Sequence, residues 1–177
     1  MRIIINSLED IENRKSELRQ SALRTKQQLL LSVNHKDAIP LLEDMKFDRI
    51  GCDPLDSKRD LNLVEQINQT FTYLASFLAA EYLIKQYPNA GPLTLNLGTS
   101  KGLDIESSGC GGIGAEVFAA VHPRNNNKLL IDCGKISKRL IAHKYVFFMC
   151  PGFTAGPQKN DPQFPKVSII ALAIEGH

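Results

Sequence analysis

Along the first part of the chain, apolar side chains return every three or four residues. Leu8, Ile11, Leu18, Ala22, Leu29 and Val33 keep this period, with Arg14, Lys15, Arg19, Arg24 and Lys26 among the polar positions between them. One buried stripe on an α-helix needs this spacing. Ser7-Leu8-Glu9-Asp10 supplies a start signal, with Ser7 as N-cap and Asp10 reaching back to it. The pattern predicts a helix over 8–33. Pro40 opens a shorter helix through Met45, because the N–H that proline lacks is unpaired in the first turn of any helix. Gly51, Pro54 and scattered aspartates predict a loop over 47–57. Ser57-Lys58-Arg59-Asp60 reads as a second capping box. After it, Val64, Ile67, Phe71, Leu74, Leu78 and Tyr82 mark a long helix that Pro88 and Gly91 end.

From Leu93 the period falls to two. Leu93-Thr94-Leu95-Asn96-Leu97 alternates as a half-buried strand does, and short strands follow over 103–107 and 115–121. Gly109-Cys110-Gly111-Gly112 makes the turn between the last two, and Pro123 closes the third strand. Asn125-Asn126-Asn127 offers N-caps for a helix whose inner face is Leu129, Cys133, Ile136 and Leu140. The unbroken apolar run Tyr145-Val146-Phe147-Phe148-Met149-Cys150 is that of a strand covered on both faces. A loop rich in Gly and Pro over 152–165 leads to a last strand over 167–174. The expected fold is α/β (α+β) in one domain. A helical part over 1–56 precedes a core over 57–177 with a mixed sheet, built as helix, three-strand meander, crossover helix and strand.

Composition narrows the class. Of 177 residues, 43% are hydrophobic and 23% charged, which excludes wholesale disorder and fibrous architectures. No apolar run approaches the roughly 18–20 residues that cross a bilayer. The stretch Met1 to Asn6 is too short for the apolar region of a signal peptide. The expectation is a soluble, cytoplasmic protein without a membrane partner. A net charge of +2 neither demands nor excludes nucleic acid. Cys52, Cys110, Cys133 and Cys150 show no C-x-x-C spacing and no histidine at finger spacing, so four free thiols are expected rather than a zinc site.

With the hairpin turn centred near Cys110, Asp104 lies opposite Glu116. Cross-strand partners have Cβ atoms about 4.5–5.5 Å apart. Two carboxylates at that distance repel unless a positive group joins them, and a divalent cation with hard oxygen ligands, such as Mg²⁺, is the usual solution. The glycines around them (Gly102, Gly109, Gly111, Gly112, Gly114) leave the surface open to a bulky polyanion. The plain alternative is a pair of solvated hairpin acids.

Gly102-Leu103-Asp104-Ile105 followed by Ala115-Glu116-Val117-Phe118, in this element order, resembles the PD-(D/E)XK nucleases, the restriction-endonuclease-like fold. The resemblance spans 61–150 and is topological more than literal. It implies an αβββαβ core and a metal-dependent endonuclease hydrolysing phosphodiester bonds in DNA, with a small restriction enzyme and a homodimer among the forms it allows. Asp104, Glu116 and the carbonyl of Val117 would hold Mg²⁺ or Mn²⁺, and Glu65 or Glu81 would add an outer ligand. Leu103 stands where the family often has proline. Phe118 stands where the family has a lysine that helps activate the attacking water. The resemblance then asks for that ammonium from Lys128, at the start of the following helix, or from Lys101. An i,i+4 ion pair with Asp132 is the alternative role of Lys128.

Arg124, Lys135, Lys138 and Arg139 have little acidic company and are the expected phosphate contacts. The basic residues of the first helix are interleaved with Glu9, Glu12 and Glu17, as on a solvated face. Two other readings stay open. One is a degenerate nuclease fold that binds nucleic acid without cutting. The other is a helical module for a protein partner.

Overall fold

The computed structural model describes residues 1–174. The chain forms two compact units, one of Met1–Ile11 with the chain from Ala75 onward, the other of Glu12–Leu74. Both boundaries fall inside helices: α1 (Leu8–His35) and α3 (Leu63–Gln86) each contribute to both units. Among the described residues no helix is long and apolar enough to cross a membrane.

The first unit is an α/β structure around a mixed seven-stranded sheet. The strands are β1 (Arg2–Ile5), β4 (Leu93–Asn96), β5 (Ile105–Ser107), β6 (Ile113–Ala119), β7 (His143–Met149), β8 (Gly156–Pro157) and β9 (Ser168–Ala171). Their spatial order is β1-β4-β5-β6-β7-β9-β8. β4, β5 and β6 form the expected antiparallel meander, with Leu95 opposite Ile105 and Ile105 opposite Ala115. Helix α4 (Lys128–Ser137) then crosses over, so that β7 runs parallel to β6 with Glu116 beside Val146 and Phe118 beside Phe148.

Alternation sorts the two faces of the sheet. Tyr145 and Phe147 meet the ring of Tyr82 from α3 edge-on, at centroid distances of 6.1 and 5.5 Å. Ala75, Phe77, Ala79, Ala80 and Leu83 are buried along the same part of that helix. Small residues at three of these positions let the helix lie close on the strands. The opposite face carries Phe118, Val146 and Phe148, which cluster with Leu103 and with Cys133 and Ile136 of α4. Burying side chains of this size contributes about 1.5–3 kcal/mol each.

The Ser7–Asp10 capping box forms as expected, the Asp10 N–H donating to Ser7 Oγ at 3.1 Å and the Ser7 N–H to Asp10 Oδ2 at 3.1 Å. Three local expectations are corrected. Met1 to Asn6 contains strand β1, paired antiparallel with β4. The 47–57 loop holds β2 (Gly51–Asp53), and Ser57-Lys58-Arg59-Asp60 is not a helix start but part of its hairpin partner β3 (Asp56–Leu61). The hairpin places Arg59 at the buried carboxylate of Asp53, which accepts bonds from Arg59 Nη1 at 3.2 Å and from the Tyr73 hydroxyl at 3.0 Å. Helix α3 starts at Leu63 instead, capped by Asn62 and Glu65: the Glu65 N–H donates to Asn62 Oδ1 at 2.8 Å and the Asn62 N–H to Glu65 Oε2 at 3.3 Å. Helix α2 (Ala38–Phe47) extends the predicted short helix at both ends.

The hairpin between β5 and β6 turns on Cys110, which is left-handed at φ 53°. Just before it, Gly109 sits against the backbone of Ala90, whose carbonyl oxygen lies 1.9 Å from where a Cβ would stand. Backbone cannot rotate away as a side chain can. Gly109→Ala is therefore expected to destabilise the protein by about 1–3 kcal/mol, seen as a lower midpoint in urea unfolding.

Candidate active site

Asp104 and Glu116 enter the same small region from adjacent strands. The β5–β6 ladder ends at Ile105 opposite Ala115, and one further step along the two chains leads to Asp104 and Glu116. Asp104 lies just before β5, and its Oδ2 accepts a hydrogen bond from the Val117 N–H at 2.7 Å. Val117 thus touches Asp104 through its amide. Glu116 is 2% exposed, on the sheet face that α4 covers.

Helix α4 brings three charged groups to this face. Lys128, Asp132 and Lys135 stand at i, i+4 and i+7, which is one stripe of a helix. Lys135 Nζ donates to Glu116 Oε2 at 2.7 Å and reaches weakly toward the Gly102 carbonyl at 3.5 Å. Lys128 Nζ donates to Asp132 Oδ1 at 2.8 Å, the i,i+4 pair foreseen as its alternative role, and lies 5.8 Å from the centre of the Phe118 ring. Phe118 itself is buried in the core beneath α4. The ammonium that reaches Glu116 is therefore that of Lys135, not Lys128. Lys101 is exposed and pairs with neither carboxylate.

Two carboxylate oxygens in this cluster, Glu116 Oε1 and Asp132 Oδ2, are buried and accept no hydrogen bond. Each such atom costs about 1–3 kcal/mol. Burial, the largest effect, lifts the Glu116 carboxyl to about 7 from its ordinary 4.5; the Lys135 hydrogen bond opposes this, and the charges of Asp104 and Asp132 push it higher. Burial also raises Asp104, against the Val117 amide and Lys135, and raises Asp132, against Lys128. On Lys135, partial burial acts downward, but the bond to Glu116 and the three carboxylates outweigh it and raise the ammonium. The pair is lopsided: half of the Lys135 side chain is exposed while Glu116 is enclosed. Water screens the lysine end, so the attraction does not offset the desolvation of the acid.

The other expected residues are spread out. Arg124 lines a groove of about 460 Å³ with Lys159, and Arg139 lines a second, of about 520 Å³, with Arg2. Lys138 is exposed, and Lys135 pairs with Glu116. Glu65 caps α3 and Glu81 pairs with Lys85 at 2.5 Å, so each is engaged elsewhere. Cys52, Cys110, Cys133 and Cys150 are free thiols. Sequence reasoning did not single out Asp132 as a site group and did not place Lys135 beside Glu116. The signal available was the Lys-Asp-Lys stripe on a helix that must cross directly over the acidic strands.

Among the described residues, no group of three or more His, Cys, Asp or Glu side chains stands close enough to hold a metal ion. Asp132 is thus not a third ligand beside Asp104 and Glu116. Two carboxylates suffice for Mg²⁺, which keeps several waters and takes its other ligands from a substrate phosphate. The unpartnered Glu116 Oε1 fits such an ion. Comparison with protein-family models, with curated proteins and with solved structures gives no match to this chain.

The raised Glu116 carboxyl has a consequence for stability. Between 4.5 and about 7 the folded protein holds a proton on Glu116 that the unfolded chain has released. Stability linked to this group is present below about 4.5 and is lost as pH rises through 7. In metal-free buffer, Glu116→Gln should abolish that loss. Its stability relative to the unmodified protein is expected to improve from pH 5 to pH 8 by at most about 3 kcal/mol, at 1.4 kcal/mol per pKa unit. Urea unfolding at the two pH values measures it, and a pH-independent difference would contradict the assignment.

Proposed function

We propose that this protein is a metal-dependent endonuclease of the PD-(D/E)XK type that hydrolyses phosphodiester bonds in DNA. The observation that carries this reading is the buried Glu116 carboxylate, with one oxygen on the Lys135 ammonium and the other unpartnered, beside Asp104 on the neighbouring strand. The order of α3, the β4–β5–β6 meander, α4 and the parallel β7 supports the reading, because an αβββαβ core would run in this order.

Asp104, Glu116 and the carbonyl of Val117 would hold Mg²⁺ or Mn²⁺. Once bound, the ion supplies Lewis-acid polarisation of a phosphodiester oxygen. The Val117 amide fixes Asp104 in its orientation. Lys135 has three N–H groups and gives one to Glu116 and a weak one to Gly102. Its remaining N–H can orient a water or meet the charge that develops on the phosphate. The ammonium stays protonated, because the surrounding carboxylates raise it. Asp132 fixes Lys128 rather than acting on substrate. Arg124, Lys138 and Arg139, before and after α4, would contact the DNA backbone. Four free thiols suit a reducing compartment, the cytoplasm, and a homodimer would present one such site to each DNA strand.

A second reading is a nuclease fold that grips nucleic acid without cutting it. Phe118 favours it, since the strand position of the family's lysine is committed to the core.

Nicking of supercoiled plasmid in Mg²⁺ or Mn²⁺ decides between these readings. The unmodified protein is expected to nick. Glu116→Gln and Asp104→Asn should abolish nicking, and Lys135→Ala should lower the rate by about 10²–10³, the usual worth of a group that stabilises transition-state charge. Lys128→Ala should cost far less. Cleavage that survives Glu116→Gln would refute the site. Salt-dependent DNA binding without cleavage would establish the second reading.

A further inference from the structure

In the unit formed by Glu12–Leu74, a ten-residue helix half-buries Leu41 and Met45 but leaves its other apolar side uncovered. Helix α2 carries Ile39, Leu42 and Phe47, yet none of its residues is buried. Ile39, Leu42 and Phe47 are 65, 58 and 70% exposed. Isolated helices this short are marginal in water, and their stability comes from packing an apolar face. The exposed side is therefore a contact without its partner.

The same unit has a groove that lacks a filler. Leu29, Leu30 and Val33 of α1 face Leu63, Ile67 and Phe71 of α3 across an open trough of about 360 Å³ whose wall is almost wholly apolar. Val33, Ile67 and Phe71 are each close to half exposed. Exposed apolar surface of this continuity marks an interaction site, and a helix with apolar anchors at i and i+3 is the shape that such a trough accepts.

We infer that α2 of one chain docks in the α1/α3 groove of a second copy, and the second copy's α2 docks in return. Ile39 and Leu42 supply the i, i+3 anchors. Charge fits the same arrangement, because Lys26 is the charged residue lining the groove and Glu43 stands exposed beside Leu42 on α2. Only two residues, Lys36 and Asp37, connect α1 to α2. Short connectors of this kind favour exchange between chains. The exchange is used twice in a two-fold dimer. A specific interface buries roughly 1,200–2,000 Å², so each docked helix would have to supply half of it. The assembly is independent of the nuclease reading and stands whether or not the protein cuts DNA.

The test is the mass of the full chain by sedimentation equilibrium at micromolar concentration, for the unmodified protein, Leu42→Glu and Ile67→Glu. Both positions are exposed, so the fold survives, as circular dichroism will verify. The unmodified protein is expected at twice the chain mass and each variant at the chain mass. Mixing the two variants should restore dimer, because the mixed pair keeps one intact helix and one intact groove facing each other. Lys26→Glu should weaken the dimer, and Lys26→Glu combined with Glu43→Lys should recover it. A monomeric unmodified protein, whether α2 stays exposed or closes on its own groove, overturns the inference. So does a dimer that either glutamate substitution leaves intact, or a mixture that stays monomeric.

Discussion

The pairing of β5 with β6 governs the site. Ile105 opposite Ala115 is a matter of which backbone amide meets which carbonyl, yet it decides which side chains see α4. A slip of one residue would turn every side chain of one strand to the other face. Packing fixes the register: Ile105 is fully buried, and a Cβ at Gly114 would stand 2.5 Å from both Leu103 and Ile141. The turn reinforces it, since Cys110, Gly111 and Gly112 all adopt positive φ. With the strands held so, Asp104 and Glu116 have no independent choice of neighbour.

This register creates an energetic conflict. Two carboxylates beneath α4 and a third carried by it influence one another, and two of their oxygens are buried without a donor. A fold selected only for stability would replace such groups with apolar ones at little cost or at a gain. Lys135 relieves part of the conflict and Lys128 another part, but neither lysine is buried with its partner, so the relief is incomplete. Raised carboxyl groups beside a raised ammonium set this cluster apart from Asp53, the buried carboxylate whose oxygens are met by Arg59 and Tyr73.

The sheet was legible where its residues alternate or run apolar. Leu93 to Asn96 and Tyr145 to Cys150 announce strands, and the turn around Cys110 sets the register by simple counting. The hairpin Gly51–Asp53 with Asp56–Leu61 was not legible. Its second strand, Asp-Ser-Lys-Arg-Asp-Leu, is exposed at every position but the last, so no apolar period records it. Its residues also mimic a capping box, and the ion pair of Arg59 with Asp53 across the hairpin reveals their real task. β1 hid for a different reason: its burial alternates, with Ile3 and Ile5 inside and Ile4 exposed, but Ile3-Ile4-Ile5 is apolar throughout and records no period of two. Asp104 and Glu116 were readable because their partnership is local to one hairpin. The role of Lys135 was not, because it depends on how far along the strands the crossover helix lands.

That landing also accounts for Phe118. A side chain two residues after Glu116 points to the same face of the sheet, so a lysine there would lie under α4. This chain uses the position for a ring that packs on Phe148 with centroids 6.1 Å apart and helps to seat the helix. Lys128 covers that ring from above and Lys135, two turns further on, carries its ammonium to Glu116. The ammonium at Glu116 comes from the helix and not from the strand, and the ring at 118 is part of what positions that helix. Strand and helix positions are thus coupled: a lysine at 118 and a lysine at 135 would compete for one carboxylate, and seating α4 on a charged side chain would cost more than seating it on a ring.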